Sequence, residues 1–338
     1  MQTTHEIHTG DARDAAIPEG VDLVVTSPPY PMVEMWDESF AAQDSAIEAA
    51  LDDGDGDAAF DRMHAILDAV WERVAAALRP GGIVAINVGD ATRRLGGNYR
   101  LYPNHARITE TFSELGLVQL PGIVWRKPTN STAKFMGSGT LPTNAYPTLE
   151  HEHVLLFRNG GTRSFEPNDP DRYASAFFWE ERNEWFSDCW EIRGTRQHTD
   201  NGARERSGAF PLELPLRLVR MFSVRGDTVL DPFVGTGTTS VAALFAGRSS
   251  VGVESDPDLA GTFFDRIADA PARSRERAAE RLAAHEAFVA DRDETPEYES
   301  DHYDTRVVTK QERSIKLLTV ESIDVRGESI AVARHEPL

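Results

Sequence analysis

Cysteine is nearly absent. Cys189 is the single one in 338 residues, so no internal disulfide can brace the fold, and a reducing, cytoplasmic setting is expected. Lysine is almost as scarce, occurring only at positions 127, 134, 310 and 316, which leaves arginine to carry nearly all of the positive charge. No run of 18 apolar residues occurs, and Met1 to Gly10 is polar; the sequence predicts neither a membrane span nor a secretory signal. Positive charge is itself in short supply: 35 Lys and Arg face 55 Asp and Glu, a net charge of −20. At first sight that balance argues against a nucleic-acid partner, because phosphate binding needs local positive charge. Abundant acids with few lysines match a protein adapted to molar salt; an ordinary acidic cytosolic enzyme is the alternative. The hydrophobic share of 40% supports a real core and excludes wholesale disorder. The length suggests about two domains, or one large domain with additions.

What is present is an alternation of short apolar strands and helices. Asp22-Leu-Val-Val-Thr26 reads as a strand that stops at Ser27-Pro28-Pro29-Tyr30, where two prolines end any ladder and stiffen the loop. Residues 34 to 61 hold ten acids and no Lys or Arg, which predicts a mobile acidic loop. A helix from about Phe60 to Leu78 follows, then a strand Ile83 to Val88, a helix from about Asn104 to Leu115, and strands at Val118 to Trp125 and His153 to Phe157. Order fades between about Lys127 and Gly208. It returns with a helix at Leu212 to Phe222, a strand Thr228 to Asp231, a glycine-rich turn, a helix from Thr239 and a strand Ser250 to Glu254. This strand–helix–strand unit predicts a parallel, helix-flanked α/β sheet. A helix from about Pro271 to Val289 and two strands, Ser314 to Val320 and Ile323 to Ala333, close the chain.

The glycine-rich turn carries the first chemical signal. In Asp231-Pro232-Phe233-Val-Gly235-Thr-Gly237-Thr238 a strand ends on an acid and glycines let backbone approach a ligand. The following helix N-terminus favours a carboxylate-bearing group. Glu254 ends the next strand, where an acid takes the hydroxyls of an adenosine ribose. A phosphate-cradling loop would need Gly-Lys-Ser/Thr, and the dinucleotide fingerprint would need a glycine where Ser240 stands. The pattern suits S-adenosylmethionine, which brings no pyrophosphate to house.

Ser27-Pro28-Pro29-Tyr30 is the second signal. An exocyclic amino group on a base is a poor nucleophile because its lone pair is delocalised. A polar side chain and a fixed backbone carbonyl that accept its N–H bonds let the nitrogen pyramidalise toward a methyl donor. Ser27 and the Pro28 carbonyl are suited to this, and Tyr30 to stacking on a flipped-out base.

These motifs, in this order, resemble the amino-methylating DNA methyltransferases whose catalytic motif precedes the cofactor motif. The resemblance spans roughly residues 5 to 260. It implies a Rossmann-like methyltransferase fold, with a catalytic half at 1–158, an inserted target-recognition region at 159–208, a cofactor half at 209–270 and a small extension at 271–338. It also implies that Gly10-Asp11-Ala12 approaches the cofactor adenine and that Phe210-Pro211 closes over its methionine end. Ser in the catalytic loop is similar to cytosine-N4 enzymes; adenine-N6 enzymes more often carry Asp. Adenine-N6 methylation, RNA methylation and a non-catalytic DNA-binding protein of the same fold are the rivals. Direct methyl transfer without a covalent base adduct is implied. Cys189 agrees, because it sits in Ser-Asp-Cys-Trp rather than Pro-Cys; a small core residue is expected there. His151-Glu-His153 lacks the helical spacing of a metal pair and Asp53-Gly-Asp55-Gly-Asp57 lacks the Gly and Glu of a calcium loop, so no metal is expected.

Local charge answers the objection raised by −20. Residues 93–134 carry +5 and residues 193–225 carry +4, leaving −29 for the rest. Arg93, Arg94, Arg126 and Lys127 in the first island, and Arg193, Arg196, Gln197 and Arg204 in the second, are the candidates to touch double-stranded DNA, since arginine's planar fork suits phosphates and guanine edges. A cognate restriction endonuclease is a possible further partner. The oligomeric state is not legible.

Overall fold

The computed structural model of the chain describes residues 1–127, 136–193 and 210–338. The strands of its main sheet are β1 (Gln2–Thr9), β2 (Val21–Thr26), β3 (Leu78–Val88), β4 (Val118–Arg126), β5 (His151–Arg158), β6 (Cys189–Glu191), β7 (Thr228–Asp231), β8 (Ser249–Glu254), β9 (Leu318–Arg326) and β10 (Ile330–Pro337). They lie in the order β6-β4-β5-β3-β2-β7-β8-β1-β10-β9. The centre, β3-β2-β7-β8-β1, is parallel throughout. On one flank β5 runs antiparallel to both β3 and β4; on the other, β10 runs antiparallel to β1 and β9.

Side chains alternate across the pleat, so each central strand feeds two cores. Leu23, Val25, Ala85 and Val229 point to the face covered by helices Glu213–Phe222 and Thr238–Ala246. Val24, Val84, Ile86 and Leu230 point to the face covered by Gly56–Ala77 and Asn104–Glu114. Burial on both faces explains why the strands read as continuous apolar runs. The expected α/β sheet and its flanking helices are therefore present.

This topology creates the crevice that matters. From β2 the chain crosses by Gly56–Ala77 to β3 on one side; from β7 it crosses by Thr238–Ala246 to β8 on the other. Adjacent parallel strands whose connections diverge leave a gap at their C-terminal ends, and ligands of open α/β sheets bind there. The Ser27–Tyr30 loop leaves β2 and the glycine loop leaves β7, so the fold sets the two motifs side by side.

Several expectations are corrected. The acidic stretch 34–61 is largely helical, with Ser45–Asp52 capped by Asp44 and Gly56–Ala77 capped by Asp55. Its acids also pair with distant arginines: Asp37 with Arg93, Asp44 with Arg62 and Asp57 with Arg100. The helix thus starts at Gly56 rather than Phe60. At the C-terminus the turn falls at Gly327, in left-handed conformation, inside the segment expected to be one strand from 323 to 333. The two strands of the extension, β9 and β10, continue the main sheet beside β1.

Between β5 and the end of the described insertion lie helices Pro170–Ala174 and Trp179–Trp185, then β6. Phe178 packs in one cluster with Ala278, Val307, Ile315 and Leu317, and the Arg281 guanidinium donates to both Glu181 carboxylate oxygens at 2.5 and 2.7 Å. Residues 159–193 are thereby joined to the C-terminal extension. Cys189 is exposed, not a core residue, because alternation on the short β6 turns Trp190 inward instead.

Candidate active site

At the end of β7 Pro232 stops the ladder, and the loop that follows needs positive φ at Gly235 (53°) and Gly237 (79°). A Cβ on Gly237 would lie 2.8 Å from the Cβ of Phe263, so the glycine meets both a conformational and a packing demand. Val234 N–H donates to the Val253 carbonyl (2.9 Å), laying the loop across β8. Glu254 braces it: one carboxylate oxygen accepts from Gly235 N–H (2.8 Å), the other from Asp256 N–H (3.0 Å). From behind, the Arg266 guanidinium donates to the Thr236 carbonyl (2.7 Å) and to the Thr238 hydroxyl (3.0 Å). The site has an acid at each strand end and a helix N-terminus opening beyond Gly237, where Thr238 begins Thr238–Ala246.

Asp231 is 3% exposed. Burial pushes its carboxyl up to about 6, against hydrogen bonds from the Thr26 hydroxyl and Phe233 N–H that favour the charge. The bond from Thr26 Oγ1 is 2.6 Å long. Thr26 immediately precedes Ser27, so this contact ties the two motifs together across 205 residues of chain.

The Ser27 loop ends in a buried polar network. Ser27 Oγ lies 2.9 Å from the Tyr30 hydroxyl, which donates to Glu152 Oε2 at 3.0 Å. Asn87 Nδ2 donates to both the Tyr30 oxygen (2.9 Å) and Glu152 Oε2 (2.6 Å), and Lys127 pairs with Glu152 Oε1. Burial and the Glu152 charge raise the Tyr30 hydroxyl well above its ordinary range, so it stays protonated. A phenol has one proton to give. With that proton directed at Glu152, the proton between Ser27 and Tyr30 belongs to Ser27, and the Ser27 lone pairs are left to accept. Asn104 holds the next turn, donating to the carbonyls of Pro31 (3.0 Å) and Gly89 (2.9 Å).

The expected residues fare unequally. Ser27 is partly exposed at the crevice, whereas Tyr30 is 8% exposed and its ring lies against Gly89. In this conformation Tyr30 is a buried hydrogen-bond partner of Ser27 and offers little open face for stacking. Pro28 is buried and Pro29 half-buried in the same loop. Asp11 is near the cofactor strand end, where Gly10 N–H donates to the Glu254 carbonyl (2.8 Å), but its carboxylate is taken by Arg13 (2.6 Å), which holds it below the usual range. Phe210 and Pro211 are buried, and Phe210 belongs to the sheet core. Phe233 packs edge-on against Trp71 at 5.6 Å.

Of the DNA candidates, Arg93 is bound by Asp37 (2.6 Å), Arg126 by Glu191 (2.7 Å) and Lys127 by Glu152. Arg94 and Arg193 are exposed and have no acidic partner among the described residues. Arg196, Gln197 and Arg204 lie outside the described residues. Sequence reasoning misses Asn87, Asn104 and Glu152. Glu152 has a legible signal, because alternation in a strand that begins His151-Glu-His153 turns the acid to the side opposite both histidines. His153 instead joins His105 and Asp90, whose donor atoms lie within 4.8 Å of one another; the Asp90 carboxylate accepts from His105 Nδ1 at 2.7 Å.

A crevice between a glycine-rich loop with terminal acids and a Ser-Pro-Pro-Tyr loop defines a methyltransferase of the amino-methylating class. Comparison agrees. The sequence pattern of the N6/N4 DNA methylase family matches residues 21–263, and the chain belongs to this family: it is an S-adenosylmethionine-dependent DNA methyltransferase. It is 45% identical over 324 residues, 94% of this chain and 91% of the relative, to the type II methyltransferase M.MthZI of Methanothermobacter thermautotrophicus. It is 49% identical over 280 residues, 79% of this chain and 92% of the relative, to the type II methyltransferase M.MjaI of Methanocaldococcus jannaschii. A Thermus thermophilus protein assigned as a DNA modification methylase, solved with S-adenosyl-L-methionine, superposes with a TM-score of 0.58 at 36% identity over 78% of this chain and 93% of that one. No helix among the described residues is long and apolar enough to cross a membrane.

Proposed function

We propose that the enzyme methylates the N4 amino group of cytosine in a base flipped out of double-stranded DNA. The observation that carries the reading is the hydrogen-bond direction at Ser27: with Tyr30 and Glu152 behind it, the hydroxyl is set to accept, which is what an amino N–H requires. The Pro28 carbonyl accepts the second N–H. The nitrogen lone pair then attacks the methyl carbon in line, the sulfur–carbon bond breaks, and the ammonium formed on the base loses its proton to water. Ser at this position favours cytosine N4 over adenine N6. With donor labelled in its methyl group, label is expected in cytosine and not in adenine nucleosides after digestion; label in adenine overturns the choice of base.

The methyl donor lies over the glycine loop in this reading. Glu254 takes the ribose hydroxyls, exchanging its bond to Gly235 for them; Asp231, Pro232, Phe233, Gly235, Gly237 and Thr238 line the methionine end, Phe210 and Pro211 close it, and Asp11 borders the adenine. Asp231 supplies negative charge to a cationic donor only when ionised. Its carboxyl sits up at about 6, so donor affinity should be flat above that pH and fall by up to about tenfold per unit below it. Calorimetric titrations of S-adenosylmethionine from pH 5 to 8 check this. Asp231→Asn should bind weakly at every pH, and a wild-type affinity that does not change through pH 6 contradicts the placement.

DNA crosses the same rim, touched by Arg94 and Arg193, and Arg196, Gln197 and Arg204 are the candidates to read its bases. Arg93, Arg126 and Lys127 act indirectly, by holding Asp37, Glu191 and Glu152. The −29 exterior supports a salt-adapted enzyme. At about 1 M salt the Debye length is only about 3 Å, so stacking and shape contacts must supply most of the affinity. Initial rates should hold or rise between 0.1 and about 2 M KCl; a steep loss over that range contradicts the reading. The type II relatives support a role in protecting a site from a cognate endonuclease.

A further inference from the structure

A second charged site lies at the opposite end of the sheet from the catalytic crevice. Arg220 is in the last turn of Glu213–Phe222, Arg225 stands just before β7, and Arg248 just before β8. All three therefore sit at the N-terminal ends of the parallel strands. With Arg281 and Lys316 from the C-terminal extension they line a cavity of about 30 Å³, floored by Leu317, which is room for one or two water-sized groups.

No acid among the described residues lines this cavity, and the nearby acids whose charge reaches Arg220 and Arg248 are bound by other arginines. Glu181 is held by Arg281 (2.5 Å), Glu213 by Arg217 (2.7 Å) and Asp227 by Arg163 (2.6 Å). Among the described residues no carboxylate lies within ion-pair distance of Arg220, Arg225 or Arg248, and neither Arg220 nor Arg225 has a side-chain hydrogen-bond partner. Asp171 acts on Arg225 only at longer range. Arg248 donates to Ser223 Oγ (3.0 Å), the Ser223 carbonyl (2.6 Å) and the Ala246 carbonyl. Arg220 lies over the Trp185 ring at 5.9 Å. Partial loss of water brings Arg220 and Arg248 down to about 9 and Arg225 to about 10, so all three remain charged at neutral pH and repel one another. Arg248 is buried and Arg220 and Arg225 are half-buried, and crowding like charges out of full contact with water is costly.

We propose that this cavity binds one small tetrahedral oxyanion, sulfate or phosphate, held by Arg220, Arg225 and Arg248 of the core and by Arg281 and Lys316 of the extension. The anion neutralises the cluster and pins the extension to the methyltransferase core. Guanidinium forks match oxyanion geometry, and several of them converge on this one cavity. The position, at the end of the sheet away from Ser27, separates it from the phosphates of substrate DNA bound in the crevice.

Isothermal titration of sodium sulfate into the full chain, at constant ionic strength set with potassium acetate, tests the site. One saturable site is expected, with a saturating rise in Tm of about 2–5 °C. Arg225→Gln should weaken the affinity at least about tenfold, while Arg326→Gln, an exposed partner of Asp324 on the hairpin, should leave it unchanged. Lys316→Gln provides the same comparison if Arg225→Gln does not fold. Inorganic phosphate competing alone indicates a free ion; adenosine monophosphate competing equally indicates the phosphate end of a larger molecule, and both support an oxyanion site. Absence of saturable binding, or sulfate affinity unchanged in both cavity variants, overturns the proposal.

Discussion

Replacing Ser27 by alanine is expected to lower kcat by about 100-fold, with little change in the KM for DNA or for S-adenosylmethionine. The magnitude is that of removing one preorganised hydrogen-bonding group aimed at a reacting centre. The hydroxyl contributes most when the amino nitrogen leaves the plane of the base, so the loss belongs to the transition state and not to binding. Two controls separate this from a general disturbance of the loop. Tyr30→Phe removes the oxygen that receives the Ser27 proton (2.9 Å away), so Ser27 loses its fixed direction; a smaller fall in kcat, about tenfold, is expected. Glu152→Gln should resemble Tyr30→Phe, because its amide cannot anchor the phenol proton as firmly. Steady-state kinetics on one duplex give all three, and a Ser27→Ala enzyme with wild-type kcat removes Ser27 from the reaction.

The second large effect is expected at Gly237. Alanine there must adopt φ near +79°, and its Cβ would stand 2.8 Å from that of Phe263. Left-handed strain contributes about 1–2 kcal/mol and the overpacking about 1–3 kcal/mol. The helix carrying Phe263 can relieve the clash only by moving away from the donor loop. A stability loss of about 3 kcal/mol, and donor affinity reduced by about 100-fold or more, are therefore expected. Gly235→Ala is the informative partner. It has φ +53° but nothing within 4 Å of an added Cβ, so it should carry the strain alone. Denaturant melts and donor titrations distinguish them. Equal effects at the two glycines would contradict the role given to Phe263.

Much of this was legible because the informative signals are local. Thr228–Asp231, the glycine turn and Ser249–Glu254 are each specified by a few neighbouring residues, and the structure keeps them within one residue of the expected bounds. The Ser27–Tyr30 loop is visible for the same reason: two prolines after a strand dictate their own conformation. Long-range features were not. Nothing near Thr26 says that Asp231 is its partner; that follows from strand order. Glu152 reads as one residue of a strand until β5 is set beside β3 and Asn87 meets it. The acidic stretch 34–61 misled because its charge was weighed without Arg62, Arg93 and Arg100, which compensate it from elsewhere. Cys189 misled because small apolar character says nothing about which side of an edge strand faces out.

On the proposed reading, the methyl group goes to the exocyclic nitrogen of cytosine. Nucleoside mass spectrometry of DNA methylated in vitro, digested to completion and fragmented to locate the methyl group, tests it most directly. N4-methylcytosine as the sole new nucleoside, absent when the Ser27→Ala enzyme is used, is the predicted result. N6-methyladenine would contradict the choice of base, and 5-methylcytosine would contradict the amino-group chemistry built on Ser27, Tyr30 and Glu152.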